Sequence, residues 1–200
     1  MLEACVERIS QSKLVTDILV ATSTEESDHQ IFQFCTSKCY QVFRGSLNDV
    51  GERLHDAAKA KNCNNFLRIC GDSPFIDPQI IDQAISLSET SDFDLVTNVF
   101  PRSFPKGQSV EVIKTKSLEQ VLQKNRSCEH KEHVTSYIYK HHSQFRICSF
   151  SSGYDLAEHS QCIDSKQDYM TAKKLSENFS QDLGWLEIHQ LWQKISLGNS

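Results

Sequence analysis

The residues with the plainest chemical potential lie at a break in pattern. Phe66-Leu-Arg-Ile-Cys70 is short, mostly apolar and bounded by Asn64-Asn65 and Gly71, which predicts a strand buried in a sheet. The chain then reads Gly71-Asp72-Ser73-Pro74-Phe75-Ile76-Asp77-Pro78, so the strand stops abruptly and presents an acidic residue. A carboxylate at the carboxyl end of a central strand stands where open α/β sheets bind ligands, and it can hold a divalent cation against a phosphate. The same aspartate can equally bond local backbone in an Asx turn, and Gly-Asp-x-Pro is too short to separate the two. A second set, Cys128-x-His130-x-x-His133, offers transition-metal ligand types within one helical turn and its lead-in. A zinc site there requires a fourth ligand or a catalytic water.

The elements that must position these residues alternate along the chain. Leu2, Cys5, Val6 and Ile9 mark a helix; 17–22 reads as a buried strand, 28–38 as a helix and 40–43 as a short strand. Residues 48–62 are helical, with Val50, Leu54, Ala57 and Ala58 inward, and lead into the Asp72 strand. Pro78 opens a helix that Asp77 caps, with Ile80, Ile81, Ala84 and Ile85 on its buried face. Strands follow at 94–98 and 109–113, separated by the irregular Pro101-Arg-Ser-Phe-Pro-Lys-Gly107. Helices at 117–124 and 131–141, a strand at 145–148, and helices from Tyr169 to Phe179 and Leu183 to Ile195 complete the pattern. Such alternation predicts a mostly parallel sheet with helices on both faces, and residues 1–200 show no repeat or linker that would divide them into more than one domain.

Composition narrows the function classes. A net charge of −5 gives no reason to expect nucleic acid or a membrane surface as partner. No run is long enough to span a bilayer, and the opening Met1-Leu-Glu-Ala-Cys-Val-Glu-Arg8 reads as an amphipathic helix, so a cytoplasmic location is expected. The eight cysteines are scattered without CxxC spacing and several fall in apolar runs, which predicts free thiols.

The order of the pieces resembles a known family. Phe43-Arg-Gly-Ser46, Asp49, Arg53, Arg68 to Pro78, Asp94 with Asn98, Arg102-Ser-Phe-Pro105-x-Gly107, Val110-Glu-Val112, Glu132-His-Val-Thr135-x-Tyr137-Ile138 and Ile163-Asp-Ser165 run as in cytidylyltransferases of the spore-coat polysaccharide biosynthesis type. These are relatives of the enzymes that make CMP-activated acidic sugars, and the match extends from about Leu2 to about Leu175. The resemblance implies a Rossmann-like nucleotidyltransferase fold, a three-layer sandwich, and transfer of CMP from CTP to a sugar with release of pyrophosphate. It also implies Mg²⁺ held by Asp72 and by a second aspartate late in the chain, matched by Asp164, with Asp168 as its rival. The alternative for Asp164 is a helix cap.

On the same resemblance Arg44, Ser46, Asp49 and Arg53 lie on the nucleotide side, and Arg102 and Lys106 face the sugar, where either can receive a carboxylate or phosphate. Ordinary solvated charge is the alternative for these basic residues. Glu111 alternates with Val110 and Val112, so it projects from the opposite face of its strand, into the cleft or out to solvent. Glu132 and His133 are accounted for as a helix start supporting the substrate side, without zinc.

One departure stands out. Similar cytidylyltransferases begin with a strand and a basic loop of the type R-x-G-S-x-R-x-P-x-K that holds the CTP phosphates, and no such loop occurs here. The expectation is that the first strand is missing from the middle of the sheet, between the strands at 18–21 and 67–70, and that the chain is N-terminally truncated relative to the family and impaired. A non-catalytic homologue acting as a binding or partner subunit is the alternative; retention of Asp72, Asp164, Arg102 and Glu132-His133 favours truncation over decay. Exposed sheet edges and the habit of similar synthetases imply a homodimer.

Overall fold

The computed structural model describes residues 1–124, 126–177, 180 and 182–198. Six strands alternate with helices: α1 (Leu2–Ile9), β1 (Leu19–Ser23), α2 (His29–Ser37), β2 (Gln41–Gly45), α3 (Val50–Ala60), β3 (Asn65–Arg68), α4 (Pro78–Glu89), β4 (Leu95–Thr97), β5 (Glu111–Lys114), α5 (Thr115–Leu122), α6 (Cys128–Glu132), α7 (Ser136–Lys140), β6 (Ile147–Ser149), α8 (Lys166–Ser176) and α9 (Trp185–Leu197). The α/β architecture expected from the alternation is present.

The strands form two sheets. β1 and β2 pair in parallel, and the other four run in the order β3-β5-β4-β6. β5 is antiparallel to β3 and β4, whereas β4 and β6 are parallel, so β5 runs against its sheet. Lys61, just ahead of β3, bonds Asp17 at 2.7 Å and also Gln41, so β1, β2 and β3 begin at one end of the molecule. The strands at 18–21 and 67–70 do not pair with each other, and β1 and β3 each keep an edge without a ladder partner among the described residues. Helix α3 bridges the two sheets by packing on β1, β2 and α5.

The four-stranded sheet sorts its residues by alternation. Leu67, Val112, Val96 and Cys148 face the core built with Ile80, Ile81 and Ala84 of α4. Phe66, Ile113, Leu95 and Ile147 face the opposite core, with Leu118 and Val121 of α5 and Ile138 of α7. A third cluster, of Phe75, Leu175, Ile188 and Trp192, seats α8 and α9.

Local chemistry explains where the elements differ from expectation. The helix expected over 131–141 is two short helices, because His133 leaves helical geometry (φ −96°, ψ 87°) ahead of the β-branched pair Val134-Thr135. Helix α8 starts at Lys166, ahead of Tyr169, because Ser165 and Asp168 form a reciprocal capping box. The expected end of that helix at Phe179 lies outside the described residues. Asp77 caps α4 as expected, its Oδ1 accepting from Gln79 N at 2.8 Å, and its Oδ2 also accepts from Trp185 N at 2.7 Å at the start of α9.

Candidate active site

β3 delivers Asp72 through a short extended run, Ile69-Cys70, and a turn at Gly71-Asp72. The Asp72 carboxylate accepts from the Ser73 hydroxyl at 2.8 Å. It takes no backbone N–H among the described residues, so the Asx-turn alternative is not realised. Its carbonyl accepts from Ile163 N at 3.0 Å, which draws the neighbouring Asp164 to the same turn although the two lie far apart in sequence.

The cap at the start of α8 separates the two late aspartates. Asp168 Oδ2 accepts from Ser165 N at 2.8 Å, from Ser165 Oγ at 2.7 Å and from Asp164 N at 3.3 Å. Asp168 is thereby engaged in folding, and Ser165 is the capping residue. The Asp164 side chain is exposed and has no hydrogen bond or ion pair among the described residues.

Three thiols lie in the field of Asp72, and one of them in that of Asp164 as well. Burial, reinforced by Asp72 and then Asp164, pushes the Cys162 thiol up to about 11. Burial and then Asp72 push Cys5 up to about 12. Burial raises Cys70 too, with Arg68 and Arg102 opposing and Asp72 and Glu111 reinforcing. Two carboxylates with free oxygens, on segments joined by one backbone bond, suit a hard dication that takes one or two carboxylates and completes its shell with phosphate oxygens and water. Among the described residues no three His, Cys, Asp or Glu side chains are grouped as metal ligands. The carboxylate pair therefore fits a cation shared with a substrate rather than a closed protein cage. In the Cys128-His130-His133 set, His130 Nδ1 is hydrogen-bonded to Ser136 Oγ at 2.8 Å, and Cys128 and His133 are exposed.

The irregular 101–107 segment is fastened beside this site. Lys106 N donates to His159 O at 2.9 Å and Gln161 N to Lys106 O at 2.8 Å, so the loop runs against the strand-like path into Asp164. Gly107 has φ 96°, and a Cβ there would approach the Gln161 carbonyl carbon to 3.0 Å, so glycine is required on both counts. Arg102 donates to Ser109 Oγ at 2.9 Å and stays half-buried, close enough to Cys70 to act on it; the Lys106 side chain is exposed.

The remaining candidates divide. Glu111 is buried and faces neither solvent nor an open cleft: it pairs with Arg68 at 2.5 Å. Arg44 holds the end of β1 through Ser23 O at 2.8 Å and Glu25 O at 2.9 Å, with Phe32 beneath its guanidinium. Arg53 donates to Ser46 O at 2.8 Å, and Ser46 Oγ accepts from Asp49 N at 3.1 Å. Asp49 caps α3 through Glu52 N and is clamped by Arg126. These four build one loop at the carboxyl end of β2, and no contact joins them to Asp72 or Asp164 among the described residues. Glu132 and His133 are exposed on the α6–α7 turn, likewise without contact to the aspartates.

Two groups escaped the sequence. Gln108, fully buried, accepts from Asp77 N at 2.9 Å and donates to Phe75 O at 2.8 Å and Gln161 Oε1 at 2.9 Å, joining the segments after Asp72 and before Asp164. Asn98 holds the same loop through Gln108 O and Val110 N. A glutamine beside glycine in an irregular stretch reads as solvated, and nothing local signals this role. The Arg68–Glu111 pair is the other; Arg68 stands in the stretch that carries the family resemblance, but nothing local names its partner.

Strands in two sheets with helices packed on them, five strands sharing one direction against β5, are the fold of a Rossmann-like nucleotidyltransferase. Residues 1–194 match the cytidylyltransferase family model, and the chain belongs to that family. It is 31% identical over 193 residues to uncharacterized protein MJ1063 of Methanocaldococcus jannaschii, covering 96% of this chain and 77% of that protein. It is 28% identical over 184 residues to the spore coat polysaccharide biosynthesis protein SpsF of Bacillus subtilis, covering 88% and 75%. A solved cytidylyltransferase from Leptospira borgpetersenii superposes with TM-score 0.89 at 28% identity, covering 96% of this chain and 82% of that one.

Proposed function

We propose that the chain transfers CMP from CTP to a sugar destined for a surface polysaccharide, with Asp72 and Asp164 holding Mg²⁺. The observation that carries this reading is the Ile163 N to Asp72 O bond, which ties the segment bearing the unengaged Asp164 to the Asp72 turn. Family membership supplies the CTP, and the likeness to SpsF supports a polysaccharide sugar.

In this reading a sugar hydroxyl oxygen bonds to the α-phosphorus as the bond to pyrophosphate breaks, and the hydroxyl proton passes to water. Mg²⁺ when bound neutralises the phosphates and orients the leaving group. The protein's part is positioning and electrostatics. Ser73 orients the Asp72 carboxylate, Gln108 locks the two acidic segments together, and Arg102 offers its remaining N–H groups to an anionic oxygen of the acceptor. Lys106, Glu132 and His133 line the acceptor side, and the loop built by Arg44, Ser46, Asp49 and Arg53 supports the nucleotide.

Calorimetric titration of CTP with Mg²⁺ tests the reading. Wild type is expected to bind, and Asp72→Ala to weaken binding by about a hundredfold, the scale of one lost metal carboxylate. A folded wild type that binds no CTP–Mg²⁺ sinks the proposal. Binding without pyrophosphate release in the presence of any acceptor marks a non-catalytic binding subunit instead.

A further inference from the structure

The face of the four-stranded sheet covered by α5 and α7 carries an apolar row, Phe66, Ile113, Leu95 and Ile147, in register across the strands. Two residues towards the Asp72 end, the row in register on that face is Arg68, Glu111, Thr97 and Ser149. The core gives way here to polar side chains. Glu111 has little left to offer: Oε2 accepts from Arg68 Nη1 at 2.5 Å, and Oε1 accepts from Thr135 Oγ1 at 2.7 Å and Tyr139 OH at 2.5 Å. It is 3% exposed.

Arg68 is different. It anchors one N–H on Glu111, while Nε and Nη2 have no hydrogen-bond partner among the described residues and are not among the buried unsatisfied atoms. Its side chain keeps 22% exposure, at the open edge of β3. Burial works against its charge, but Glu111 more than offsets this and holds the guanidinium above its ordinary value. Arg68 ends β3 on this face, and the chain runs on through Ile69-Cys70 to the Gly71-Asp72 turn, so Arg68 lies at the strand end that delivers Asp72. A closed ion pair gains little over apolar packing, whereas an anchored arginine with a free planar edge is preorganised for an oxyanion.

We infer that Arg68 is a phosphate-binding residue, its free Nε and Nη2 edge donating to an oxygen of the polyphosphate whose cation Asp72 holds. Glu111 is its positioning residue and does not touch the substrate. The inference rests on the proposed nucleotidyl transfer.

The test is titration of CTP and of inorganic pyrophosphate, each with Mg²⁺, into wild type, Arg68→Lys and the double variant Arg68→Met/Glu111→Gln, which leaves no unpaired buried carboxylate. The double variant is expected to lose about tenfold to a hundredfold in affinity for both ligands, the scale of one charge-assisted hydrogen bond or two. Arg68→Lys, which keeps the charge but not the fork, should recover only part of that loss, and all three proteins should melt cooperatively. Unchanged affinity in the double variant overturns the inference and leaves nucleotidyl transfer standing. Affinity as high in Arg68→Lys as in wild type overturns the planar contact and leaves only a diffuse charge effect. A folded wild type that binds neither ligand overturns both.

Discussion

Two arginine–carboxylate pairs in this molecule look alike in sequence and differ in what they do. Arg126 grips Asp49 with both ends of its fork, Nη1 to Oδ1 at 2.8 Å and Nη2 to Oδ2 at 2.6 Å, and the side chains are 8% and 11% exposed. The pair fastens the start of α3 to the segment entering α6, and nothing of it faces outward. Arg68 grips Glu111 with one nitrogen and keeps an open edge. An enclosed pair bonded at both ends acts as a clamp even though Arg126 Nε is buried without a partner, and a partly used arginine with an exposed edge, held by a saturated carboxylate, remains available to a ligand.

The largest effect expected from this contrast is on stability. Arg126→Ala leaves Asp49 buried without its partner and should cost ~3–5 kcal/mol in urea unfolding at pH 7. Arg68→Met should cost less, ~1–3 kcal/mol, because Thr135 and Tyr139 still donate to Glu111 and the site is open on one side. Equal losses would falsify the distinction between clamp and open edge. The clamp also has a pH signature. Burial opposes the charge on Asp49, but Arg126 and the Glu52 N–H hold its carboxyl below the usual range. Its folded value lies below the unfolded one, about 3.9, so the stabilisation is present above that and is lost as pH falls through the folded value. The gap between wild type and Arg126→Ala should therefore narrow as pH falls below about 5. A gap independent of pH breaks the assignment.

Much of the fold was written locally. Asp77-Pro78 announces α4 because cap and first turn are adjacent in the chain, and the Asp72 turn is announced by the strand that stops before it. The reversed direction of β5 was not legible, because a short buried strand has the same pattern whether it runs parallel or antiparallel. The break at His133 was hidden by an apolar spacing that continues through Val134 and Ile138 into one core. The site was legible in part. Asp72 could be found from its own surroundings, but Asp164 came only through the family resemblance, since the approach of its segment to the Asp72 turn depends on the Ile163 backbone bond. Gln108 and the engagement of Glu111 by Arg68 are tertiary facts, created by segments that no sequence window contains together.

The smallest expected effects lie behind Glu111 and sharpen the comparison most. Tyr139 gives its one hydroxyl hydrogen to Glu111 Oε1, so Thr97 Oγ1, 2.9 Å away, must donate to the Tyr139 oxygen while accepting from Val99 N at 3.1 Å. A chain of donors thus ends on the carboxylate that anchors Arg68, each bond polarising the next. Tyr139→Phe keeps the ring stacked on Phe100, with centroids 4.9 Å apart, and removes only the hydroxyl. It should cost ~0.5–1.5 kcal/mol, and Thr135→Val a similar amount. Both donors serve the same oxygen, so either variant alone leaves Oε1 with one partner and the two together leave it with none. The double variant should therefore lose more than the sum of the singles, by ~0.5 kcal/mol or more in a urea double-mutant cycle. Strict additivity would mean that water replaces the missing donors, and that the floor beneath Arg68 is as open as the edge it presents.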